Sequence, residues 1–129
     1  MSNAEKGPIV VTRGVASTAH RAARHGRTGE ALGEVLSLID DPRWTVDHVR
    51  LAAGQRSAPA HRHSHTDECV LVLSGRVELR GERVHEALEA GDFARIGPGE
   101  ETMHELVAQT SAELLLVRVT DPDDVTTFE

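Results

Sequence analysis

Short apolar runs that alternate with polar residues, each cut off by a glycine or an Asp-Pro pair, govern what this chain can become. Alternation of this kind sends successive side chains to opposite faces, which is the pattern of half-buried strands. The runs cover residues 9–13, 44–51, 69–73, 76–80, 83–87, 92–96, 103–107 and 113–119. Between them stand Asp41-Pro42, Ser74-Gly75, Gly81-Glu82, Ala90-Gly91 and Gly97-Pro98-Gly99, all turn formers. Residues 29–39 are expected as a short helix, a reading that Gly33 in its middle weakens. Residues 14–27, rich in Ala, Arg and His, are expected as a loop. So many short strands in 129 residues close into an all-β sandwich or barrel. The expected division is an N-terminal arm with a first strand over 1–28 and a barrel over 29–129, in a single domain.

Charge and cysteine content narrow the partners. A formal net charge of −7 argues against nucleic acid as a partner. Residues 6–29 run the other way, with Lys6, Arg13, Arg21, Arg24 and Arg27 and no acid, and read as a solvated arm. The single cysteine, Cys69, excludes an internal disulfide framework and fits a reducing cytoplasm. It is expected as a small packing residue. No apolar run approaches bilayer length, so no membrane partner is expected.

Chemistry concentrates in GQRSAPAHRHSHTDECVLVLSG, residues 54–75. His61 and His63 lie two apart, so on an extended strand their rings share a face. His65 shares that parity, and spacing alone leaves the choice of pair open; a solvent-facing role is expected for it. Glu68 stands just before the apolar CVLVL, where a carboxylate entering a core is costly unless a cation or donors meet it. His104 follows the Gly97-Pro98-Gly99 turn, which reverses the chain and carries a later strand back toward the pair. Three imidazoles and one carboxylate make a set that holds a divalent transition metal.

Other polar residues are weighed beside it. His48 and Arg50 line a pocket if their face of the 44–51 strand points inward; otherwise Val49 and Leu51 are core. Glu100 and Glu101 are expected as a solvated acidic turn rather than a rim of the site. His20, His25 and His85 show no partner spacing and are expected at the surface.

The same residues carry a resemblance: the chain resembles the cupins. Gly54, His61-x-His63, Glu68 and Gly75 match the first motif of that family, with one extra residue after Gly54. Gly91, Gly99 and His104 match the second, with Gly97 in place of its first proline, His104 two residues late and Ala108 where an asparagine is usual. More narrowly, it is similar to small uncharacterised single-domain cupins with the same gap before Glu and a Gly-x4-His second motif. They share a tail like VTDPDDVTTFE.

The resemblance, which spans roughly residues 44–119, implies a double-stranded β-helix, or jelly-roll barrel. It implies His61, His63, Glu68 and His104 as ligands to Fe, Mn, Ni, Zn, Cu or Co, with positions left for water or a small-molecule substrate. The family's thiol dioxygenases usually lack the glutamate, and its metal-free epimerases need a tyrosine; this chain has Glu68 and no tyrosine. A metal-dependent dioxygenase or isomerase acting on a small polar molecule is therefore expected. The alternative is a non-catalytic barrel that binds or senses a sugar or carboxylate. A homodimer is expected, since an exposed strand edge such as residues 9–13 needs covering.

Overall fold

The computed structural model describes residues 9–129. A 3-10 turn, Val15–Ser17, precedes eleven strands among the described residues: β1 Arg21–Arg24, β2 Ala31–Asp41, β3 Trp44–Leu51, β4 His61–His63, β5 Thr66–Ser74, β6 Arg76–Gly81, β7 His85–Glu89, β8 Phe93–Ile96, β9 His104–Ala108, β10 Ala112–Thr120 and β11 Thr126–Phe128. They form two antiparallel sheets, ordered β1-β2-β3-β10-β5-β8 and β11-β4-β9-β6-β7. This is the jelly-roll arrangement expected from the sequence. No described helix is long and apolar enough to cross a membrane.

Period-2 alternation builds the core. In β5 the inward positions are Thr66, Glu68, Val70 and Val72; in β10 they are Ala112, Leu114 and Leu116. Val49, Leu51, Val77, Leu79, Leu106 and Ala108 meet them from both sheets. Burying each such aliphatic side chain stabilises the fold by about 1.5–3 kcal/mol. Toward one end of the barrel the inward row turns polar: Thr45, Arg118 and Glu68 stand side by side on β3, β10 and β5.

Three expectations change. Residues 29–39 are not a helix; from Ala31 they form β2, paired along its length with β3. Gly33 sits there with φ +87°, and a side chain on it would meet the Arg50 carbonyl at 2.5 Å. Residues 9–13 form no strand, and Ile9, Val10 and Val11 are exposed. Residues 14–27 are not simply loop, because they supply the 3-10 turn and β1, which pairs with β2.

This N-terminal stretch is tied down on the outer face of the first sheet. His20 donates from Nδ1 to the Thr18 carbonyl at 2.6 Å, and its Nε2 lies 2.8 Å from His48 Nδ1. His48 Nε2 is 3.6 Å from Glu113, and Arg50 donates to the Ala16 carbonyl at 2.9 Å. His20 is therefore not a free surface residue. Arg56 fastens a second seam, bonding Glu30, Glu105 and Glu129 at 2.7–3.0 Å.

Candidate metal centre

Beyond the apolar layer, four side chains from three strands converge. His61 and His104 are register partners across β4 and β9, and His63 follows on the same strand as His61. Glu68 comes from the opposite sheet. The structure places it within β5 rather than ahead of the strand, because β5 starts at Thr66. Its parity then matches Val70 and Val72, so the carboxylate points into the barrel and is buried.

The three Nε2 atoms approach one oxygen. Glu68 Oε1 is 3.0 Å from His61 Nε2, 2.7 Å from His63 Nε2 and 3.4 Å from His104 Nε2. Donor atoms of His61, Glu68 and His104 also lie within 4.8 Å of one another; His63 joins the group through Glu68.

The far side of each ring fixes its tautomer. His61 Nδ1 faces the Pro59 carbonyl at 2.8 Å, and His104 Nδ1 faces the Thr102 carbonyl at 2.7 Å. His63 Nδ1 faces Asp124 Oδ2 at 3.0 Å. Carbonyls and carboxylates only accept, so each Nδ1 carries its proton, and in the neutral ring each Nε2 presents a lone pair. Lone pairs then crowd one carboxylate oxygen. His63 Nε2 is buried and, close as it is to Glu68, lacks an aligned hydrogen bond. Acceptors that meet this way need a shared proton or a cation, and imidazoles pinned through Nδ1 are the usual outer support of a metal ligand. The residues fit a divalent transition metal.

The electrostatics agree. Burial pushes the Glu68 carboxyl up, but His104, His61 and His63, wherever a ring carries a proton on Nε2, and the charge of Arg118 outweigh it. They hold Glu68 well below the usual carboxylate range. The Glu68 carboxylate beside its Nε2 favours the charged ring and lifts His63 above its ordinary value against desolvation, with Asp124 adding to the rise.

The other residues weighed in the sequence fall elsewhere. Val49 and Leu51 are core, so His48 and Arg50 face away from the site; His48 is buried all the same, beneath His20. His65 is exposed and bonds Ser64. Glu100 and Glu101 are exposed, with Glu101 paired to Arg83 at 2.8 Å. Cys69 faces opposite Glu68 and is partly buried. His85 is largely exposed and touches Glu78.

Sequence reasoning passed over Asp124, in the tail segment DPDD; only the fold brings it to His63. Phe128 was missed likewise, and its ring lies 5.8 Å from that of His61. A cleft of about 320 Å³ beside His63 is lined by Arg62, Ser64, Gly99 and Glu100. The larger cavity of about 610 Å³, lined by Arg24, Glu34, Arg50 and Glu113, contains none of the four converging residues.

Comparison with known proteins agrees with the fold. A family model described as "Cupin domain" matches residues 47–119. No curated protein matches the chain. Among solved structures, a sugar phosphate isomerase of the cupin superfamily from Silicibacter pomeroyi is 27% identical, with a TM-score of 0.69 over 76% of this chain and 66% of that one. A provisionally named sugar phosphate isomerase from Acidithiobacillus ferrooxidans is 16% identical, with a TM-score of 0.75 over 93% and 80%. KdgF from Halomonas is 23% identical, with a TM-score of 0.58 over 70% and 80%. The last two likenesses speak to the fold alone.

Proposed function

Since this chain belongs to the cupin family, we propose that His61, His63, Glu68 and His104 hold a divalent transition metal and that the barrel acts on a small polar molecule. The observation that carries this reading is the convergence of three Nδ1-pinned imidazoles on Glu68 Oε1. The metal would polarise a chelating substrate oxygen or activate dioxygen. The chain's own part is to fix three neutral rings, exclude water behind Val70 and Leu116, and leave coordination positions open. An isomerase is favoured over a dioxygenase by the 27% identical structure that carries that description. The functional unit in this reading is the barrel of residues 29–129, with 1–28 as an arm, in a cytoplasmic homodimer.

Elemental analysis of protein purified without added metal or chelator tests the site, beside a His61→Ala/His63→Ala double variant. About one metal per chain in the wild type, lost in the variant, is the expected result. Absence from both after reconstitution with iron, manganese, nickel and zinc overturns it and favours a metal-free binding barrel.

A further inference from the structure

Next to Glu68 the barrel wall carries two polar side chains, Arg118 and Thr45, that make no hydrogen bond. Arg118 is the register partner of Glu68 across β5 and β10, and Thr45 is the register partner of Arg118 across β10 and β3. All three share the inward face, one strand apart, a spacing of about 4.8 Å. Arg118 Nε lies 3.6 Å from Glu68 Oε2, and its terminal nitrogen lies 3.7 Å from Asp47 Oδ2. Both are ion-pair distances beyond hydrogen-bond reach. Among the described residues Arg118 makes no closer polar contact, although only 29% of its side chain is exposed. Thr45 Oγ1 is buried and has no partner either. A half-buried guanidinium and a buried hydroxyl are costly to leave without a hydrogen bond. Two such groups in one row beside the candidate centre imply a missing acceptor.

Charge decides the sign of that acceptor. Glu68, Asp47, Asp124 and Arg118 together carry two net negative charges, which a divalent ion cancels, so the guanidinium without a hydrogen bond is the group left to take an acceptor, and its charge favours an anionic one. The planar fork of an arginine suits carboxylate and phosphoryl oxygens, which it takes two at a time.

We infer that Arg118, with Thr45, is the substrate-anchoring pair of the barrel, and that the small molecule bound there carries an anionic oxygen group, carboxylate or phosphoryl, within one strand spacing of the atom that meets the metal. This rests on the metal-binding reading above and narrows it to a substrate class. Arg118 determines specificity in this arrangement and is not a metal ligand.

Cobalt-loaded wild type, Arg118→Gln, Arg118→Lys and Thr45→Val are each titrated with inorganic phosphate, glycolate and, as the uncharged control, glycerol. Calorimetric heat and the visible cobalt spectrum report binding, and metal per chain is measured in every sample. In the wild type, phosphate or glycolate binds and shifts the cobalt bands, and glycerol does not. Whichever of the two binds more tightly distinguishes a phosphoryl from a carboxylate substrate. Arg118→Gln weakens that binding at least tenfold, Arg118→Lys less, and Thr45→Val about threefold, all with metal content unchanged. Full metal content without anion binding, or equal binding by wild type and both Arg118→Gln and Thr45→Val, overturns the anchoring pair and leaves the metal centre standing. Failure of the wild type to take up cobalt overturns the metal reading and this inference with it.

Discussion

Three imidazoles turned toward one carboxylate oxygen favour a bound proton in the metal-free protein, and His63 is the ring whose value Glu68 and Asp124 raise. Its value is raised on folding, so the stability it contributes is fully present below its ordinary value of 6.5 and is lost as pH rises through the folded value. Glu68 runs the other way: its contribution is present above 4.5 and is lost as pH falls. The contribution of this pair to the metal-free melting temperature is therefore expected to peak between those two values. Metal must displace the proton, so affinity rises over the range where His63 stability falls. Melting curves across pH, with and without metal, check both limbs; a His63→Gln variant that keeps the same alkaline decline removes the explanation.

Asp124 belongs to the same scale. It holds His63 through Nδ1, so Asp124→Asn is expected to lower metal affinity about 10–100-fold with the fold intact, read by competition with a chelator. The four central residues were legible in the sequence because their chemistry is distinctive and their spacing suits strands. Asp124 was not, because an aspartate 61 positions from its histidine leaves no local trace.

Individual strands show where pattern reading fails. The 29–39 segment has apolar residues at Leu32, Val35, Leu36 and Ile39, a spacing that a helix would use. It is β2 because both faces of this strand are covered, one by the core and one in part by the N-terminal stretch, and because an irregularity between Ser37 and Ile39 breaks strict alternation. Strands β4 and β11 span three residues each, too few to show a period. The turn at Gly75 was legible in the sequence, and Gly54, which was not read as a turn, differs from it in kind. Gly54 and Gly75 both have positive φ, but a side chain at Gly54 meets open space, whereas at Gly75 it would strike the Ser111 carbonyl at 2.1 Å. Gly54→Ala is expected to cost about 1 kcal/mol from the backbone alone, and Gly75→Ala clearly more. Urea unfolding of the two variants ranks them; equal losses would show that the β5–β6 turn relaxes freely. Leu114→Ala, at the centre of the core, is expected to cost about 2–5 kcal/mol by the same measurement.

Across the whole molecule, the outer face of the first sheet remains unusually apolar. Leu71, Leu73, Leu115, Val117, Val119, Val46, Trp44 and Phe93 point outward by register, and Trp44, Leu73, Phe93 and Val119 are exposed. A patch of that extent in a chain of net charge −7 is of the kind that interfaces use, and in the homodimer proposed above a second copy would cover it. Sedimentation equilibrium is expected to give twice the chain mass, and Phe93→Glu with Val119→Glu to give the monomer. The Arg56 junction is expected to matter for stability at this scale: Arg56→Met loses contacts to three carboxylates at once, at a cost of about 1–3 kcal/mol.

The same junction says something about the order in which the chain is threaded. One guanidinium touches both Glu30 and Glu129, so residues near the two sequence ends of the barrel are neighbours in space. Joining residue 129 to residue 29 through a short glycine linker removes β1 from the edge of the first sheet and is expected to leave the pairing of β2–β11 in place. New ends can be opened at the exposed turn between β6 and β7, where Glu82 and Arg83 face solvent. The barrel is thus suited to circular permutation, with its connectivity changed and its site intact.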